Sequence, residues 1–267
     1  MSGETDRPRI LLATDFSKWA LRAEEYACCL AATWRATLTV LTVLEFPPGM
    51  NPEYPVNQVY LGELMKAGAK QLVDLKARAS ARGISLHTRI ATGIPCEEVL
   101  AAVKAEDSDL VVVGTKGKSG LEHVLLGSTA ERVIRTAPCP VLTVRMDREE
   151  LLSGEAGPCG GIRLNRILVP VDFSDCSLEA VEYAALMAQR HSASVTLLHV
   201  LEPVSYGLDF TLLHASKREE MRERLTARLG DMTRALAEAK IQADSQVRGG
   251  TPFESILDSA KTIPADL

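Results

Sequence analysis

Arg9–Ser17 reads RILLATDFS, and Arg166–Ser174 reads RILVPVDFS. Each opens on an apolar run, Ile10–Leu12 and Ile167–Val169, without polar alternation. Such a run reads as a strand buried on both faces, as in a parallel sheet covered by helices. The aspartate that stops it reads as a turn, and Ser17 as a cap for the helix that follows. The same signal twice in one chain raises the question of how far the repetition extends.

It extends almost throughout. At the offset that lays Arg9 on Arg166, Leu21, Ala23, Glu25, Tyr26 and Ala27 fall on Leu178, Ala180, Glu182, Tyr183 and Ala184. Val43-Leu44-Glu45 falls on Val200-Leu201-Glu202, Gly93-x-Pro95-x-Glu97 on Gly250-x-Pro252-x-Glu254, and Asp109-Leu110 on Asp266-Leu267. One offset from first match to last is the mark of a tandem duplication. The counterpart of about Val111 to Arg145 would lie past Leu267, so the second copy reads as truncated two residues into a central strand.

Within the first copy, strands are expected at Ile10–Thr14, Leu38–Leu44, Ile84–Ala91, Leu110–Val113 and Pro140–Val144. Helices are expected from Trp19 to about Ala32, over Gly62–Arg82 with Gly83 closing it, from Pro95 onward, and over Thr129–Thr136. Glu97 and Glu98 suit the positive end of the Pro95 helix. FPPGMNPEYP, Phe46 to Pro55, reads as a proline-stiffened surface connection or a wall over a ligand. Alternating strands and helices imply a parallel three-layer α/β domain. The expected organisation is domain 1 over residues 1–146, a Gly-rich charged linker over 147–162, and domain 2 over 163–267. In such sheets ligands sit at the carboxyl ends of the strands, where the strand order reverses. Asp15, Val43 and Gly114 all reach that edge.

Composition narrows the function. The chain of 267 residues is 46% hydrophobic and 24% charged, as expected of a globular protein. A net charge of −5 and only 4% aromatic residues argue against nucleic-acid binding. No window is apolar enough to span a bilayer, and MSGETDRPR has no signal-peptide core. The six cysteines form no CxxC pair, which argues against a zinc site or a disulfide framework. The expectation is a reduced, cytoplasmic protein with mostly buried thiols. Cys139 reads as a packed strand-edge thiol and Cys159 as an exposed one.

Val111–Ser128, VVVGTKGKSGLEHVLLGS, has no second copy. Gly117-Lys118-Ser119 resembles the end of a Walker A loop, but that motif requires glycine where Val112 stands. The actual spacing is Gly114-x2-Gly117-x9-Gly127-Ser128. Gly114 and Gly117 allow sharp turns and close backbone approach. Gly127 and Ser128 start a helix, whose free N–H groups favour phosphate. Lys116, Lys118 and His123 can add positive potential, or lie on the surface as solvated residues. A glycine-rich turn that holds nothing fits the spacing equally well.

These segments, with SDLVVVGTKGKSGLEHVLLGSTAERVIRTAPCPVLTVR as a whole, resemble the universal stress protein family in its tandem form. G-x2-G-x9-G-S/T resembles the motif of its ATP-binding branch. The resemblance implies two Rossmann-like, adenine nucleotide alpha hydrolase-like domains with parallel five-stranded sheets, the second lacking its last two strands here. It implies that Asp15 contacts adenosine beside Ala13 and Thr14, and that Val43 meets adenine through its backbone. Gly114, Gly117, Gly127, Ser128 and Thr129 would surround the ribose and phosphates. Any Mg²⁺ would be held largely by ATP itself. Pairing through the fifth strands, within one chain or as a homodimer, is a further implication, as is a regulatory protein partner.

The second copy keeps Val171, Asp172 and Val200 but no glycine loop, so it is expected not to bind ATP in the usual mode. His199 is either adjacent to an adenine or the end of a strand. Asp15 has a competing role as a helix cap. The functional readings are an ATP-binding stress-response module, a nucleotide-free scaffold built as a pseudo-dimer, and a slow ATP hydrolase. The last has no evident base or nucleophile aimed at phosphate.

Overall fold

The structure is a computed structural model that describes residues 7–45, 54–115, 126–145, 164–202 and 211–267, with 211–218 described by backbone only. It divides into two compact units, Met1–Ile162 and Arg163–Leu267. The linker expected over 147–162 lies outside the described residues.

Unit 1 runs β1 (Arg9–Ala13), α1 (Ala20–Trp34), β2 (Thr37–Leu44), α2 (Pro55–Ser80), β3 (Leu86–Thr92), α3 (Pro95–Glu106), β4 (Leu110–Gly114), α4 (Ser128–Thr136) and β5 (Val141–Val144). Its five strands lie in the order β3-β2-β1-β4-β5, all parallel. The order reverses between β1 and β4, whose register pairs Ala13 with Val113. Alternation along the strands explains the layers. Leu11, Leu41, Val111 and Val113 pack with Val99, Val103, Ala130 and Val133 of α3 and α4. Leu12, Val40 and Val112, of opposite parity, are equally buried. On that face α2 brings Gly68 against Leu44, Thr42 and Ile90, and α1 crosses β1 and β4. Burying each such aliphatic side chain is worth ~1.5–3 kcal/mol, so both faces drive the fold.

Unit 2 runs β6 (Arg166–Pro170), α5 (Asp175–His191), β7 (Ser194–Leu201), α6 (Thr211–Glu238), β8 (Ala243–Gly249) and α7 (Pro252–Thr262). Its three strands are parallel, in the order β6-β7-β8. The duplication is visible in the backbone. Left-handed φ occurs at Phe16 and Phe173, at Arg35 and Ser192, at Gly83 and Lys240, and at Gly93 and Gly250. The carboxylate of Asp109 accepts the Arg9 amide at 2.7 Å, and that of Asp266 accepts the Arg166 amide at 3.0 Å. The Leu168 amide donates to the Leu267 carbonyl at 2.8 Å, so Leu267 pairs beside β6.

Three local expectations are corrected. The second helix starts at Pro55, not Gly62, because Tyr54 is extended and Pro55 supplies the preset φ of a first helical position. Its exposed Val56, Val59 and Tyr60 obscure the amphipathic pattern there. Residues 46–53 of the proline-rich stretch lie outside the described residues. The same helix ends at Ser80, and Gly83 acts just past it: with φ +73 it lets the Ile84 amide reach the Ala79 carbonyl at 3.0 Å. The first helix starts at Ala20, so Ser17 stands before it, although its hydroxyl still accepts the Ala20 amide at 3.3 Å.

Candidate functional site at the carboxyl ends of the unit 1 strands

β1 ends at Ala13, and the chain then turns sharply through Thr14, Asp15, Phe16 and Ser17. Thr14 remains tied to the sheet, its amide donating to the Leu41 carbonyl at 3.0 Å. Phe16 adopts a φ of 56°, which costs a non-glycine residue about 1–2 kcal/mol and needs holding from outside. Two bonds hold it. The Asp15 carboxylate accepts the Ser17 amide at 3.0 Å, and the Thr14 hydroxyl accepts the Phe16 amide at 3.0 Å. Asp15 therefore builds the turn that leads into α1.

Val43 lies near the end of β2 opposite Ala91 and, with Ala13, packs against the α3–α4 core. Gly114 is the last residue of β4, level with Val144 of β5. Beyond it the Thr115 amide donates to the Val144 carbonyl at 3.1 Å, and the Thr115 carbonyl accepts the Gly127 amide at 2.8 Å. That second bond closes the base of the glycine loop and delivers Gly127 to the start of α4. Gly127 is the N-cap, and no side chain caps the helix through it. The first turn, with Ser128 and Thr129, thus presents backbone N–H groups at the positive end of the helix dipole. Gly117, Lys116, Lys118 and His123 lie outside the described residues.

The structure therefore gathers Ala13, Thr14, Asp15, Gly114, Gly127, Ser128 and Thr129 along the β1–β4 switch, with Val43 on the neighbouring strand. Among the described residues there is no cluster of His, Cys, Asp or Glu able to hold a metal ion.

Beneath the turn lies a group that the sequence reading passed over. Thr14 Oγ1 donates to Glu24 Oε1 at 2.8 Å, and Arg78 Nη2 donates to Glu24 Oε2 at 3.4 Å. Glu24 is 5% exposed. Burial pushes its carboxyl above the ordinary value, more than the Thr14 hydrogen bond and Arg78 hold it down; Asp15 and Glu25 add repulsion. A signal existed. At the duplication offset Thr14, Glu24 and Arg78 fall on Val171, Val181 and Ala235, a polar trio against three apolar residues.

The equivalent turn in unit 2 keeps the aspartate-to-serine-amide bond and adds a serine hydroxyl to it. Asp172 Oδ1 accepts both the Ser174 amide at 2.9 Å and the Ser174 hydroxyl at 2.6 Å. Those bonds lower the Asp172 carboxyl to about 2. His199 lies within β7, its Nδ1–H donating to the Val171 carbonyl at 2.7 Å. Phe173 sits between the His199 ring, 5.1 Å away, and the Arg228 guanidinium, 4.1 Å away. Elsewhere, burial and then Asp109 push the Cys139 thiol up, away from reactivity.

Among the described residues no helix is long and apolar enough to cross a membrane. The sequence profile of the universal stress protein family matches residues 7–145 and again 163–267. A universal stress protein of Methanocaldococcus jannaschii is 35% identical over 150 residues, 56% of this chain and 88% of that relative. One from Mycobacterium tuberculosis is 27% identical over 213 residues, covering 73% of this chain and 68% of the relative. The crystal structure of a universal stress protein from Archaeoglobus fulgidus shares the fold, with a TM-score of 0.71 at 23% identity, covering 96% of this chain and 84% of that one. With two profile matches in tandem and a doubly wound sheet in unit 1, the chain belongs to the universal stress protein family.

Proposed function

We propose that unit 1 is a receptor for an adenine nucleotide, with ATP as its ligand, and that the protein is a nucleotide-dependent stress-response module of the cytoplasm acting through a regulatory partner. One observation carries this reading: the Asp15 turn and the open first turn of α4 face the same strand-order switch, on either side of β1 and β4. Doubly wound sheets bind ligands at such a switch. Asp15, flanked by Ala13 and Thr14, takes the adenosine, and the backbone at Val43 meets the base. Gly114 and Gly117 let the chain approach ribose and phosphates, and Gly127, Ser128 and Thr129 supply N–H and hydroxyl donors. A helix dipole alone contributes ~0.3–1 kcal/mol. Micromolar affinity requires about 8 kcal/mol, so the loop and the Asp15 turn must act together. Mg²⁺, when it accompanies the nucleotide, is held by the phosphates.

The test is nucleotide content. The chain is purified without added nucleotide, denatured, and its supernatant chromatographed, after which ATP is titrated into stripped protein. An equimolar amount of ATP supports the reading. No bound nucleotide and no heat on titration overturn it in favour of a scaffold. Phosphate release that falls with Lys118→Ala would add slow hydrolysis.

A further inference from the structure

The Thr14–Glu24–Arg78 trio is more than the fold needs. Unit 2 makes the same left-handed turn, φ 64° at Phe173 against 56° at Phe16, with Val171, Val181 and Ala235 at those positions. A buried carboxylate is costly unless it is hydrogen-bonded and paired. In unit 1 that cost is met by two partners of different kinds. One is the hydroxyl that also receives the Phe16 amide, so Glu24 is one hydrogen bond removed from the backbone of the turn. The other is Arg78, 56% exposed on α2, which links the buried carboxylate to the surface.

We propose that Glu24 is a positioning residue for the ligand-facing turn of unit 1, acting through Thr14 Oγ1, and that its ionisation sets the affinity of that turn for adenine nucleotide. This rests on the nucleotide reading above. A hydroxyl has one proton to donate. While Glu24 is ionised, the Thr14 proton is committed to it, and the Thr14 lone pairs point to the Phe16 amide. When Glu24 takes up a proton it no longer demands that donor. The Thr14 hydroxyl is then released to rotate, and the Phe16 amide loses a fixed acceptor. The groups that face Glu24 are Thr14 and Asp15 from the end of β1, Glu25 from its own helix and Arg78 from α2. Two of these are acidic, so a further negative charge near Asp15 acts on the same carboxylate. Hydrogen bonds to charged groups are worth enough that losing this one predicts about tenfold weaker binding.

The experiment compares the wild-type chain with Glu24→Gln, Glu24→Val and Thr14→Val. ATP affinity is measured by calorimetry from mildly acidic to mildly alkaline pH, and amide exchange at Phe16 by NMR without nucleotide. The titration of ATP itself is common to all four proteins and cancels in the comparison. The expected result is that wild-type affinity rises with pH more than that of Glu24→Gln. Glu24→Val and Thr14→Val should bind about tenfold more weakly, with faster exchange at Phe16. Equal affinity and parallel pH profiles in all four proteins overturn the proposal. If the wild type binds no ATP, the nucleotide reading fails by itself. Exchange at Phe16 then decides the positioning role, and equal exchange in Glu24→Val overturns it. Glu24→Gln keeps shape and hydrogen-bonding capacity, so it reports even if the valine variant folds poorly.

Discussion

Thr14 Oγ1 donates to Glu24 Oε1 across 2.8 Å in unit 1, where the duplicated unit has Val171 and Val181. The left-handed turn above occurs in both units, so this pair separates two turns of like backbone. In one copy a buried carboxylate supports the turn from below. In the other that carboxylate is absent, and the aspartate-to-serine-amide bond common to both turns is joined by the Ser174 hydroxyl.

The pH dependence of stability follows from the raised Glu24 carboxyl. Its folded value lies above the ordinary 4.5, so the folded state binds the proton more tightly than the unfolded chain. The contribution of Glu24 is therefore fully present below its unfolded value and is lost as pH rises through the folded one. Glu24→Val should remove that decline, leaving unit 1 as stable as the wild type or more so near neutral pH. Thermal midpoints of both proteins across pH check this, and a steeper alkaline loss in the variant would contradict it.

Asp172 shows the opposite sign. Its carboxyl is lowered to about 2 by the Ser174 bonds, so its contribution is present above the ordinary 3.8 and is lost as pH falls toward 2. Ser174→Ala should return Asp172 toward 3.8, read from carboxyl chemical shifts in an NMR titration. Ser174 also accepts the Ser177 amide at 3.3 Å as the N-cap of α5. Its loss should cost about 1 kcal/mol in urea denaturation.

Gly127→Asp tests the phosphate end of the site. Gly127 has φ −72° and ψ 151°, a conformation open to aspartate, and aspartate is a favoured N-cap. The helix should persist while a fixed negative charge meets the phosphates. ATP affinity is expected to fall by roughly two orders of magnitude, at an unchanged or higher melting temperature, as for like charges at close range. Binding that survives would place the phosphates elsewhere.

Gly93 has a structural role that needs no ligand. Its φ is +152°, and an added Cβ would stand 2.9 Å from Glu98 Oε1. At Gly250, φ +141°, a Cβ would stand 2.7 Å from Ser255 Oγ. Gly93→Ala and Gly250→Ala should each destabilise by about 1–3 kcal/mol, measured by chemical denaturation. A neutral effect at both would show that the turn relaxes freely.

Much of the strand framework was legible because buried parallel strands are written as local apolar runs. Ile10–Leu12 and Val111–Val113 announce themselves without reference to anything distant. Helix ends were less legible. The start of α2 at Pro55 is a backbone matter, since its first turns expose Val56, Val59 and Tyr60 and leave no amphipathic trace. The site divided likewise. Asp15, Gly114 and Gly127 were visible as turn and cap residues, whereas Glu24 and Arg78, inside helical stretches, were not singled out.

The duplication, the alternation of strand and helix and the asymmetric glycine loop are properties of residue order, because hydrophobic period and turn chemistry act over a few neighbouring residues. Strand order is not local. Only the folded sheet sets β4 beside β1, pairing Ala13 with Val113 and bringing the Asp15 turn beside the end of β4. The same holds for Glu24, which meets Thr14 and Arg78 because α1 and α2 cover one face of that sheet. Burial then turns a helix carboxylate into a titratable support for the turn, since desolvation depends on what surrounds a group and not on its place in the chain.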